Sequence, residues 1–311
     1  MALLPPLYQE ALIFSSLLTL LSAGLTLTYL TTRVPNFSHG SFATIGAYVS
    51  LTSFRVLQLT PYYLIPLAFV LAGAVALALY KLILKPLMNR GSSIIFLMIA
   101  TIAYDMILLS ALNIYADYLS EGLKVTSRYF SLKVADIRIG GPTGTPMVFY
   151  SSLSSAIAVI VLLYILLTRT RFGVAMRATI ENPMLAGVVG INTDLVYTVS
   201  WFMAGGLAGL AGVLISLWFI GNPDLGSIIL ISIFAASIVG GFNNIYGAFL
   251  GGYLVGFAEV FGQYILARNI GAWIVPYRPV IPLIIMVATL LIAPYGLAGV
   301  RWRELGRRLR R

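Results

Sequence analysis

Apolar residues run in blocks about twenty long, without the alternation of a half-buried strand, separated by short polar or glycine- and proline-containing breaks. The blocks predict helical spans at about 11–31, 38–54, 62–84, 92–113, 147–168, 197–220, 227–240, 247–267 and 279–294. The 38–54 and 227–240 blocks are short for a full crossing and read as broken or re-entrant. The expected fold is an all-α polytopic membrane protein with about eight or nine transmembrane segments, in one domain over 1–311. Helices are favoured over a barrel because only they satisfy the backbone within one segment in lipid.

One break stands out. Asn36 to Tyr48 reads NFSHGSFATIGAY, places Asn36, Ser38, His39, Gly40, Ser41 and Thr44 between apolar runs, and holds the only histidine. Polar backbone at membrane depth is tolerated where protein or a water-filled cavity surrounds it, so this stretch predicts a helix start lining an internal path. A second break, Gly240 to Gly247, reads GGFNNIYG and contains Asn243. Each break precedes a small-residue helix, which predicts two weakly similar halves in parallel orientation with interrupted central helices. The alternative is that both are loops with helix caps. Ala248, Gly252 and Gly256, and Gly205, Gly209 and Gly212, predict close helix–helix seams.

Composition excludes a soluble domain: 59% of residues are hydrophobic and 10% are charged, against about a quarter charged in soluble domains. The net charge of +10 comes mainly from inter-span loops and the C-terminal segment, so it does not indicate nucleic acid. Lys81, Lys85 and Arg90 lie in one loop, Arg169, Arg171 and Arg177 in another, and six arginines face one acid between Arg301 and Arg311. Placing all three groups in the cytoplasm gives an external N-terminus, an external loop at 114–146 and a basic cytoplasmic tail at 295–311. The first residues, MALLPPLYQEA, lack the basic region of a cleaved signal peptide.

Chemistry-bearing residues are few. Asp105, with Thr101 one turn away and Asn113 within reach of its face, and Glu259, sharing a face with Gly256 and Gln263, fall inside predicted spans. Such groups either line a pathway or are neutral, hydrogen-bonded packing groups. A lone His39 makes no zinc site and reads as a structural hydrogen-bonding group more than a proton relay. No cysteine, metal-ligand cluster or G-x-x-x-x-G-K-[ST] motif occurs, so enzyme readings lack their parts and the chain does not hydrolyse ATP through a P-loop. The loop at 169–196 holds Thr179 to Asn192, where Pro183 suits a first helical turn and Met184, Leu185, Val188, Val189 and Ile191 form an apolar face. That face suits a protein partner or the bilayer surface.

These residues resemble a known family. NFSHG followed by GAY is similar to the signature of permeases of branched-chain amino acid ABC importers, of the LivH type more than its LivM-type partner. Arg171, Gly173, Arg177, Ala178, Asn182, Ala186 and Gly190-Ile191-Asn192 resemble the family's diverged ABC-permease coupling motif. Val239-Gly240-Gly241 with Tyr246-Gly247-Ala248, and Pro294-Tyr295-Gly296-Leu297, are further matches. The resemblance implies a permease, not an enzyme, in a cell membrane, with a cytoplasmic C-terminus. Its implied partners are a homologous permease subunit or a second copy, two cytoplasmic ABC ATPases and an extracytoplasmic amino-acid-binding protein, with membrane lipid around it. ATP and magnesium would sit on the ATPases and no cofactor on this chain. The candidate residues for the translocation path are Asn36, His39, Gly40, Ser41, Thr44, Asp105, Asn243 and Glu259. The resemblance implies ATPase coupling through Arg177, Glu181, Asn182, Leu185, Ala186, Val189, Gly190 and Ile191. Phe242-Asn243-Asn244 in place of a glycine-serine turn, and a charged residue at Asp105, depart from the family. They leave urea or short amides as alternative substrates, and an ion-coupled secondary transporter as a rival mechanism.

Overall fold

A computed structural model describes residues 5–141, 144–242 and 244–299. Asn243 and most of the basic tail lie outside the described residues.

The helices are α1 (Pro6–Thr32), α2 (His39–Arg55), α3 (Ile65–Ala78), α4 (Lys85–Asn89), α5 (Ile94–Asp117), α6 (Met147–Arg169), α7 (Arg171–Glu181), α8 (Pro183–Val188), α9 (Thr193–Trp218), α10 (Leu225–Gly240), α11 (Ile245–Ile270) and α12 (Val280–Ile292). A 3-10 turn and a π-helical segment join α3 and α4 into one rod, Pro61–Asn89. A two-residue hairpin, Arg138–Ile139 against Thr145–Pro146, lies in the loop before α6. Among the described residues, seven helical rods are long and apolar enough to cross a membrane. The other two expected spans are the shorter helices α2, with 17 residues, and α10, with 16.

The centre of the bundle is α1, buried along nearly its whole length. Its sequence is rich in serine and threonine, and several of their hydroxyls find backbone acceptors. Thr28 donates to Leu25 O at 2.8 Å, Thr32 to Thr28 O at 2.8 Å and Ser22 to Ala248 O at 3.0 Å. Small residues set the spacing. Gly252 and Gly256 of α11 lie against Thr19 and Ser15 of α1, while Gly205 and Gly209 of α9 lie against Ala72 and Ala68 of α3. Close backbone approach of this kind holds membrane helices together where lipid removes the hydrophobic drive.

The two halves are inverted, not parallel as the sequence suggests. Phe14 packs on Phe219 just beyond the end of α9, and Gly24 packs on Ala204. Residue numbers therefore rise on α1 as they fall on α9. The pair α1–α11 has its counterpart in the pair α9–α3, through the glycine contacts above. The counterpart of the break at 33–38 is the equally long break at 219–224, not Gly240 to Gly247. The first ends at α2 and the second at α10. The sequences agree once aligned this way: Asn36-Phe37-Ser38-His39-Gly40-Ser41 matches Asn222-Pro223-Asp224-Leu225-Gly226-Ser227.

Candidate translocation site at the half-helix junction

The first break turns back into the bundle. Arg33 ends α1 in the left-handed region at φ 58°, and its amide donates to Tyr29 O at 2.8 Å. Asn36 then accepts from the Ser38 amide at 3.1 Å and the Ser38 hydroxyl at 2.8 Å, an Asx turn that starts α2. The re-entry is deep. His39 Nε2 donates to Leu21 O at 2.9 Å, and Leu21 lies eleven residues before the end of α1 at Thr32, about 16 Å along the helix. Ser41 donates to Asp105 Oδ1 at 2.5 Å, and Asp105 lies eleven residues into α5, the same depth from its end. Hydrocarbon cores are about 30 Å thick, so α2 begins near mid-depth.

The start of α10 meets it there. Gly40 and Gly226 pack backbone on backbone, and the Gly226 amide donates to Thr44 Oγ1 at 2.9 Å. His39, Gly40, Ser41, Thr44 and Asp105 are thus gathered at one junction of α1, α2, α5 and α10. Asn36 lies beside it, its neighbour Phe37 donating through its amide to Thr101 Oγ1 at 3.3 Å. With Nε2 donating to Leu21 O, Nδ1 is the ring nitrogen left over for another group. His39 Nδ1 and Asn36 Nδ2, both fully buried, have no partner among the described residues. Asn113 does not reach Asp105: its amide donates to Leu109 O at 2.9 Å, and its carbonyl accepts from Arg128 at 3.3 Å.

Glu259 is held apart from this junction. It accepts from Arg278 Nε at 2.6 Å, and the guanidinium lies 4.3 Å from the Phe14 ring centroid and 5.7 Å from that of Phe219. Arg278 is nineteen residues away on the turn before α12, so helical spacing gave no hint of it. Sequence reasoning also missed Asp194, which holds Lys81 and Lys85 at 2.9 Å each and accepts from Tyr80 OH at 2.9 Å. In the loop before α6, burial pushes the Asp136 carboxyl above its ordinary value, against hydrogen bonds from Tyr62 and the Val148 amide.

At the other end of α6 the chain builds a projecting bracket. Thr170 caps α7 by accepting from the Gly173 amide, and Arg177 donates to Leu167 O, locking α7 to α6. The expected single helix from Thr179 to Asn192 is split. Asn182 ends α7 and caps α8, accepting from the Leu185 amide at 3.0 Å, because Pro183 has no amide to continue the ladder. α8 closes on Gly190 at φ 86°, with the Ile191 amide donating to Ala186 O and the Gly190 amide to Gly187 O. That is a Schellman terminus, and it explains the spacing of Ala186 and Gly190. Ala186 is buried, while Met184, Leu185, Val188 and Val189 are exposed at 85%, 60%, 83% and 69%. Glu181 and Asn182 are exposed beside them.

The sequence model for "Branched-chain amino acid transport system / permease component" matches residues 7–290. A Methanocaldococcus jannaschii protein named "Probable branched-chain amino acid transport permease protein LivH" is 45% identical over 301 residues, covering 97% of this chain and 94% of its own. The Escherichia coli K12 high-affinity branched-chain amino acid permease protein LivH is 26% identical over 297 residues, 90% of each chain. A chain in the structure of "PsaBC from Streptococcus pneumoniae in complex with Fab" aligns with TM-score 0.55 at 13% identity, over 94% of this chain and 93% of that one, a likeness of fold alone.

Proposed function

The chain belongs to the permease-component family of branched-chain amino acid transport systems, and on that premise we propose that it is the membrane-spanning subunit of an ATP-driven importer for branched-chain amino acids. A binding protein delivers the amino acid to the face that carries the loop before α6. A second permease subunit completes the path, and two ATPases dock on the opposite face and bear ATP and magnesium. The C-terminal tail lies on that ATPase face.

The observation that carries this reading is the α7–α8 bracket. Three large apolar side chains project from a six-residue helix capped at both ends and a fourth, Val189, from its C-cap, while Arg177 of α7 ties the bracket to α6. A short rigid element with an uncovered apolar tip transmits force to a protein partner better than a flexible loop does. Arg177, Glu181, Asn182, Leu185, Ala186, Val189, Gly190 and Ile191 are the proposed coupling residues. Asn36, His39, Gly40, Ser41, Thr44 and Asp105 are the proposed path wall, with Glu259 a support for it. Alternating access then requires the two inverted halves to exchange between two packings that the ATPases bias.

Reconstitution of the chain with its permease partner, ATPases and binding protein into liposomes tests this. Leucine, isoleucine and valine should accumulate only with ATP inside and binding protein outside. Uptake of urea or short amides in their place would assign the alternative substrates. Uptake by this chain alone on an ion gradient would make it a secondary transporter.

A further inference from the structure

We propose that Asp105 is the counter-ion for the α-ammonium group of the amino acid in transit, with Ser41 as its positioning residue; this rests on the importer reading above.

Asp105 is a half-buried carboxylate at mid-depth on α5, a helix that otherwise presents Ile95, Phe96, Ile99, Met106 and Ile107 outward. Among the described residues no basic side chain pairs with it. Arg128 is taken by Asp117 at 2.6 Å, Lys81 and Lys85 by Asp194, and Arg278 by Glu259. Its one polar contact is the Ser41 hydroxyl, which fixes Oδ1 and leaves Oδ2 free of protein donors. An ionised carboxylate at this depth needs a cation or water beside it.

Polar groups also recur on the same ridge of α5, with Leu109 between Asp105 and Asn113. Asp117, Asn113 and Asp105 recur on the four-residue ridge of the helix, and Arg128 bonds both Asp117 and Asn113. That ridge leads from the loop before α6 down to Asp105. On the loop side of Asp105 and Ser41, one turn or about 5 Å along each helix, begins an apolar groove of about 450 Å³ lined by Ile45, Leu71, Val75, Leu108 and Leu112 and running to Thr52 and Tyr115. A carboxylate next to an apolar wall matches a ligand with an ammonium group and a branched aliphatic side chain. Urea and simple amides carry no cation for it. The residue thereby favours amino acids over neutral amides in the path itself, after the binding protein has made its own selection.

The test uses the whole importer in liposomes with radiolabelled leucine, comparing Asp105→Asn, Asp105→Glu and wild type. Asparagine is nearly isosteric and still accepts from Ser41, so a packing role survives that change and a charge role does not. The expected result is a turnover loss of roughly ten-fold or more in Asp105→Asn. KM should stay unchanged, because the binding protein sets it, basal ATP hydrolysis should stay near wild type, and Asp105→Glu should retain much of the activity. Wild-type turnover in Asp105→Asn would overturn the proposal and leave the importer standing. Equal losses in Asn and Glu variants, with lowered melting temperatures, would also overturn it in favour of packing. Failure of wild type to take up leucine would instead overturn the importer reading.

Discussion

Gly40 and Gly226 lie backbone against backbone, so a Cβ on either would collide with the carbonyl group of the other. Two shorter helices from opposite halves of the chain therefore start from a single point near mid-depth. Gly40→Ala and Gly226→Ala should each lower stability by about 2 kcal/mol, the scale of overpacking a tight core. Thermal unfolding in detergent would measure it. Gly187→Ala is the control: nothing lies near its Cβ position, so its melting temperature should stay level or rise slightly.

The tip of α8 should matter for coupling and not for folding. Alanine at Leu185 and Val189 removes exposed side chains, so the purified permease should melt as wild type does. In the assembled importer the same pair should leave ATP hydrolysis running while leucine uptake falls several-fold. Gly190→Arg should be harsher, because it also forces a side chain into the left-handed region at a cost of about 1–2 kcal/mol. Uptake and hydrolysis measured on one preparation would separate these effects.

His39 reads as a fixed donor, not a proton carrier. Its Nε2 hydrogen is committed to Leu21 O, and its ring is fully buried. A His39→Gln change keeps an N–H donor of similar reach. Uptake should stay within about two-fold of wild type and stay flat from pH 6 to 8, since the histidine range near pH 6.5 is then the one being probed. A strong shift in the pH profile would return His39 to proton chemistry.

The Glu259–Arg278 pair should behave as a buried ion pair. Arg278→Met leaves a carboxylate that is 3% exposed without its cation, and should cost about 3 kcal/mol. The double change Glu259→Gln with Arg278→Met should regain most of that loss, because no unpaired buried charge remains; Glu10, 3.9 Å from Arg278, is partly exposed. Melting temperatures of the two variants decide it; equal losses would mean that the pair is not the dominant interaction there.

Hydropathy placed the long helices well, because a twenty-residue apolar block has few alternatives in lipid. It also marked 38–54 and 227–240 as too short, and these are α2 and α10. What it mispaired was the internal repeat. Gly240 to Gly247 is conspicuous for its glycines and asparagines, whereas Phe219 to Asp224 looks like an ordinary loop. The usable signal was the spacing shared by Asn36, Gly40 and Ser41 with Asn222, Gly226 and Ser227, which is invisible unless inverted halves are compared. Asp105 could be read as buried charge from position alone, but its pairing with Ser41 could not, since 64 residues separate them. Arg278 was hidden for a similar reason: a turn between helices carries no periodicity that aims a side chain.

The junction of Gly40 with Gly226 also bears on ancestry. A contact between equivalent residues of two inverted halves lies on the axis that relates them. In a precursor made of two identical half-length chains inserted in opposite directions, that one glycine would have faced its own copy. Any side chain there would have been doubled at the same spot, so neither copy could have drifted while the halves were one gene product. Gly40 and Gly226 thus hold equivalent places in the two halves, each meeting the bare backbone of the other where that axis passes.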